Sequence, residues 1–198
     1  DIHVVPNGLE LPVGHAPAPR PAFLRGLTGP IIGYVGNLSS RLDLDLIEAI
    51  ARARPDWNLV LVGSAHLDRS ILDLERLGNV HFPGVVPYRN VRAFLDHVDV
   101  AIIPHLDNEM TRSMNPLKAF VYASAGVPAV STPIANLVDL GELLTIANGS
   151  DDFIAAIEAH LAAPRPVVDP ELLRQHSWQE RVERVFTYID TVGVGSRP

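Results

Sequence analysis

The segment TRSMNPLKAFVYASAGVPAVSTP, residues 111 to 133, reads as a loop, a helix and a buried strand in succession. Pro116 suits the first position of the helix, where its missing N–H costs nothing. Gly126 stops the helix, and Val127 to Thr132 follow as an apolar strand. A loop that enters a helix at the edge of a sheet points free backbone N–H groups at an anion. The hydroxyls of Thr111 and Ser113, the N–H groups of Leu117 and Lys118, and the Lys118 ammonium can all converge on one phosphate. Arg112 either adds a second charge or points into solvent. Asn115 serves equally as an ordinary helix cap, and the two roles are compatible.

Strands and helices alternate on both sides of this stretch. Residues 29–36 (GPIIGYVG) and 57–63 (WNLVLVG) are apolar runs ending in glycine. Residues 79–84, 99–104 and 127–132 are further strands, and 142–147 is a candidate sixth. Helices are expected over 42–55, 70–78, 88–98, 115–126, 150–163 and 170–192. Continuous apolar strands separated by helices predict a parallel sheet covered on both faces, a doubly wound, Rossmann-like α/β domain. Ligands of such folds sit beyond the carboxyl ends of the strands, where strand order reverses. The domain is expected over residues 31–198. Residues 1–30 form an opening strand and a Pro-rich connector, PVGHAPAPRPAFLRGLTGP, too rich in proline for a helix. The beginning, DIHVVPNG, reads as a cut at a domain boundary in a larger two-domain protein.

The net charge of −7 opposes binding to nucleic acid or an anionic membrane. The absence of cysteine excludes disulfides and thiolate chemistry. His66, His81, His97 and His105 lack metal-ligand spacing, although His105 follows the fourth strand and is a weak candidate for the cleft. No nucleophile elbow is present, so no hydrolase triad is read. Gly29, Gly33 and Gly36 do not spell the dinucleotide fingerprint, and Gly63 stands where an acidic residue would hold an adenosine ribose. A nicotinamide oxidoreductase is therefore disfavoured. In the turn after the first strand, Gly36 allows close approach of a phosphate, and Arg41 either reaches a diphosphate or is a solvated charge. The last helix carries Trp178, Val182, Val185, Phe186 and Ile189 at helical spacing, read first as a face packed on the sheet and second as a contact for a neighbouring domain.

VVPNG at 4–8, GYVGNLSSRLDLDLIEAIARARPDWNLVLVG at 33–63 and NEMTRSMNPLKAFVYASAGVPAVSTP at 108–133 together resemble the C-terminal domain of GT-B glycosyltransferases. They are most similar to a bacterial branch of the retaining, family-4-like group. The resemblance implies one of two Rossmann-like halves facing each other across a cleft. It implies transfer of a sugar from a nucleoside-diphosphate sugar to a polysaccharide or glycoconjugate acceptor. By position, Gly36, Asn37 and Arg41 would face the donor diphosphate, and Ser113, Asn115, Leu117 and Lys118 would cradle it. Gly63, Val86, Pro87 and Val121 would border the nucleobase and ribose. No metal or cofactor is implied, because cations and a helix N-terminus stabilise the leaving diphosphate. The implied partners are a nucleotide-sugar, a glycan or lipid-linked acceptor and an N-terminal GT-B domain, which would also provide any peripheral membrane association. The implied location is cytoplasmic, at the inner face of the membrane. One departure stands out: the family places a ribose-binding glutamate where this chain has Val121. A non-catalytic binding or scaffold domain with a degenerate donor site is the alternative reading.

Overall fold

The computed structural model describes residues 5–11, 18–65, 69–112, 114, 117–137 and 139–193. The expected opening strand before Val5, and Ser113, Asn115, Pro116 and His66, lie outside these residues. The strands are β1 (Ile31–Val35), β2 (Asn58–Val62), β3 (Val80–Gly84), β4 (Val100–Ile103), β5 (Ala129–Ser131) and β6 (Leu144–Ile146). They form one parallel six-stranded sheet in the order β3-β2-β1-β4-β5-β6. The expected Rossmann-like fold is therefore the observed one. Its strand order reverses between β1 and β4, and the crevice opens there.

The helices are α1 (Leu44–Ala53), α2 (Tyr88–Leu95), α3 (Glu109–Arg112), α4 (Leu117–Ser124), α5 (Gly149–Ala162), α6 (Pro170–Gln175) and α7 (Trp178–Gly193). Alternation along the strands builds two cores. Ile32, Leu59 and Leu61 pack with Ile47 and Ile50 of α1 and with Phe153 and Ile157 of α5. Ile31, Val60 and Val62 pack with Phe94 of α2 and Phe120 of α4 on the opposite face. The Asp43 carboxylate accepts from Leu46 N–H at 2.9 Å and caps α1, a contact typically worth about 1 kcal/mol. The Asp99 carboxylate accepts from Ile31 N–H at 2.7 Å and fixes the start of β1.

Three expectations change. Residues 70–77 form a 3-10 helix rather than an α-helix. Ile71 and Leu74 are buried and Leu77 packs beside them, a spacing of three that suits three residues per turn. The expected helix over 170–192 is two helices. At the break, Ser177 Oγ accepts from Glu180 N–H at 3.1 Å. Leu9 inserts there by pairing with His176 C=O and Trp178 N–H. Third, α7 does not pack its apolar stripe on the sheet. Trp178, Val182, Phe186 and Ile189 are 46%, 50%, 60% and 58% exposed. Among the described residues, no helix is long and apolar enough to cross a membrane.

Candidate functional site: a cationic notch at the strand-order switch

The loops after β1 and β4 are stitched together at the crevice. Asp43 N–H donates to Pro104 C=O, and Leu106 N–H donates to Arg41 C=O, each at 2.8 Å. Gly36 and Gly63 close β1 and β2 with φ of +150° and +154°, a region open essentially to glycine. The two backbones touch: a Cβ on Gly63 would lie 1.8 Å from Gly36 O. The absence of a side chain on Gly36 makes room for Lys118, whose Nζ lies 2.8 Å from where a Gly36 Cβ would be. The same ammonium sits 5.3 Å from the centroid of the Tyr34 ring. Lys118 belongs to the first turn of α4, where backbone N–H groups have no intrahelical partner and the helix dipole favours an anion.

Arg41 stands at the rim, its Nε donating to Ser39 Oγ at 3.0 Å. Among the described residues, neither Arg41 nor Lys118 forms an ion pair with a carboxylate. Burial, aided by the Arg41 charge, pushes the Lys118 ammonium down to about 8. Beneath it lies a neutral layer. His105 is 1% exposed, and burial, with the charges of Lys118 and Arg41 adding, drives its imidazole down to about 3. Its Nε2 is 3.4 Å from Tyr34 Oη, and its Nδ1 is buried without a hydrogen-bond partner among the described residues. Burial holds the Tyr34 and Tyr122 phenols above the usual tyrosine range. Tyr122 Oη accepts from Val35 N–H at 3.0 Å, tying α4 to β1.

The structure thus brings Gly36, Gly63, Arg41 and Lys118 together, with Leu117 at the start of α4 and Asn37 exposed just beyond Gly36. Ser113 and Asn115 lie outside the described residues. Thr111, read as a partner of the anion, is engaged elsewhere, and Arg112 follows the solvent-facing alternative. The Thr111 hydroxyl is buried and donates to Leu106 C=O at 2.6 Å. Arg112 forms a two-pronged pair with Asp107, at 2.9 and 3.0 Å, at the surface. Tyr34 and Tyr122 were not singled out from sequence, because an aromatic residue in an apolar run reads as core. Val86 is half-buried against the α2/α4 core, and Pro87 is exposed at the start of α2. On the other side of α4 lies a cavity of about 490 Å³, lined by Leu9, Tyr88, Val91, Phe120, Val121 and Trp178 among others. Leu117 and Val121 border this cavity, while Lys118, between them in sequence, reaches into the notch. Among the described residues, no group of three or more His, Asp or Glu side chains is disposed to hold a metal ion.

Residues 29–163 match the family described as glycosyl transferases group 1. A protein named as a teichuronic acid biosynthesis glycosyltransferase, TuaH of Bacillus subtilis, is 31% identical over 165 residues, which are 79% of this chain and 42% of that protein. Among solved structures, sucrose-phosphate synthase from Thermosynechococcus elongatus aligns with a TM-score of 0.74 at 19% identity, over 98% of this chain and 53% of that one. The lipopolysaccharide outer core galactosyltransferase WaaB aligns with a TM-score of 0.69 at 18% identity, over 96% and 56%. HepE of Anabaena, solved in complex with UDP and glucose, aligns with a TM-score of 0.60 at 14% identity, over 82% and 48%. This chain thus spans about half the length of the proteins it matches.

Proposed function

Since the chain belongs to the glycosyl transferases group 1 family, we propose that it is the donor-binding half of a GT-B glycosyltransferase. The diphosphate of a nucleoside-diphosphate sugar occupies the notch between Gly36 and Lys118. The nucleoside extends toward Val121, and the sugar faces an acceptor held mainly by another half of the protein. The observation that carries this reading is the Lys118 ammonium, held against a side-chain-free Gly36 with no carboxylate paired to it among the described residues. As the glycosidic bond breaks, negative charge grows on the leaving diphosphate. Lys118, Arg41 and the N–H groups opening α4 oppose that charge. The HepE structures with UDP and UDP-glucose and the teichuronic acid role in the name of TuaH support a nucleotide-sugar donor and a cell-surface polysaccharide acceptor. The exposed apolar stripe of α7 is the face on which the N-terminal half docks, and the location is the cytoplasmic side of the membrane.

Calorimetric titration of the full-length protein with UDP, GDP, ADP and dTDP tests the proposal. One of them should bind, and Lys118→Ala should weaken it about 10- to 100-fold, the loss of one charge-assisted hydrogen bond. Affinity for the matching nucleoside should be unchanged. No heat with any diphosphate, or equal losses for nucleotide and nucleoside, would sink it.

A second reading, a binding or scaffold domain without transferase activity, is favoured by Val121 alone. Its aliphatic side chain forms cavity wall where the resemblance implies a carboxylate. Val121→Glu should tighten nucleotide binding about tenfold if a ribose lies there. An unchanged affinity would place the ribose elsewhere.

A further inference from the structure

The chain has sixteen lysine and arginine side chains, and all but one are arginine. The exception is Lys118, the cation closest to the backbone of the notch. Arginine offers more donors and grips phosphate in two-pronged fashion, but it does not release its proton in proteins. Lysine is the basic side chain whose charge responds to burial. A chain otherwise built with arginine thus places its one lysine at the proposed anion site.

Among the described residues, the surroundings pair no carboxylate with it. From β1, Tyr34 presents a protonated ring at 5.3 Å. From the loop after β1, Arg41 presents a second positive charge. From the loop after β4, His105 presents a neutral imidazole. From α4 itself, Tyr122 is protonated and bonded to Val35 N–H. The acids of the flanking loops are engaged elsewhere, Asp43 in capping α1 and Asp107 with Arg112. A half-buried ammonium beside another cation, with no carboxylate paired to it among the described residues, is disfavoured. A diphosphate relieves this by supplying negative charge.

We propose that the notch binds its anion together with a proton, taken up by the Lys118 amine, so that occupancy of the site depends on pH as well as on nucleotide. This rests on the assignment of the notch to a nucleotide diphosphate. The sign follows from the ordinary lysine range of about 10.5 and the depressed value of about 8 for the empty site. Below that value the amine is already charged, and binding needs no proton. Above it, each bound anion draws one from solution, and apparent affinity falls about tenfold per pH unit until the bound form also loses its proton.

UDP-glucose is a suitable probe, because its diphosphate is esterified at both ends and carries no proton near neutral pH. Full-length protein should be titrated with it at pH 6.5 and pH 8 in Tris and in HEPES, whose ionisation heats differ. The expected result is buffer-independent heat at the lower pH and uptake of about half a proton at the higher. In parallel, acylation of Lys118 in the free protein, read by mass spectrometry against pH, should have its midpoint near 8 and move upward with saturating UDP-glucose. Lys118→Arg, if it binds, should show no proton uptake. Binding with equal heats in both buffers at pH 8, or a Lys118 midpoint near the ordinary lysine value, overturns the proton linkage and leaves the site assignment standing. Failure of UDP-glucose, UDP, GDP, ADP and dTDP to bind at either pH overturns the assignment, and the linkage with it.

Discussion

Gly63→Ala should be among the most destabilising single substitutions in this chain, with a loss of about 4 kcal/mol. The new methyl would sit 1.8 Å from the carbonyl oxygen of Gly36, well inside contact distance. Its neighbour is backbone, which cannot rotate away as a side chain can. Nor can either strand end shift freely: Gly63 N–H donates to Gly84 C=O and Gly36 N–H donates to Val62 C=O, both at 2.9 Å. Overpacking typically costs about 1–3 kcal/mol, and the strained φ of +154° adds about 1–3 kcal/mol more. For a domain of this size, that corresponds to a melting temperature lower by about 10 °C. Gly36→Ala makes the informative contrast. Its methyl would meet Cε and Nζ of Lys118 at 2.4 and 2.8 Å, the far end of a flexible side chain. That variant escapes the backbone clash but keeps the strained φ of +150°, so it should lose only about 1–3 kcal/mol and lose nucleotide affinity as well. Thermal melts of both variants, with nucleotide titration of whichever folds, check the pair. A Gly63→Ala melt within 2–3 °C of the parent (about 1 kcal/mol) would mean that the two strand ends are not locked.

The sheet was legible because parallel strands buried on both faces are continuous apolar runs, as residues 59–62 illustrate. The candidate cation, Lys118, stood out for a different reason: Pro-Leu-Lys after a polar loop reads as a helix start whose free N–H groups and ammonium can meet an anion. Thr111 misled because a hydroxyl that can serve a ligand can equally serve its own loop, and here Leu106 C=O takes it. The apolar stripe of α7 misled because periodicity says that a face is apolar and nothing about what covers it. The break before α7 had a local signal, Ser177 followed three residues later by Glu180, a capping pattern. What sequence could not give was the neutral layer under Lys118. Tyr34 and His105 meet only because β1 and β4 are neighbours in space, 71 positions apart in the chain.

That layer sets an acid limit, which His105→Phe should relax. In the unfolded chain, His105 takes up a proton near pH 6.5; in the folded one it does so only near 3. Its contribution to stability is therefore complete above pH 6.5 and is lost progressively as pH falls toward 3. The slope is about 1.4 kcal/mol per pH unit, so the deficit at pH 4 is on the order of 3 kcal/mol. Phenylalanine has similar volume, keeps the edge contact with the Tyr34 ring, now at 6.2 Å between centroids, and removes the partnerless Nδ1. Urea unfolding should give similar stability for parent and variant at pH 7, within about 1 kcal/mol, and a variant more stable by about 3 kcal/mol at pH 4. Burial also holds His81, His160 and His176 below the usual histidine range. Both proteins should therefore weaken in acid, and the difference between their slopes isolates His105. Parallel slopes would mean that the imidazole gains its charge within the fold, directly beneath Lys118. A second positive charge there would reinforce the attraction for a diphosphate while opposing the Lys118 ammonium, so the same pair of proteins would then also differ in nucleotide affinity at low pH.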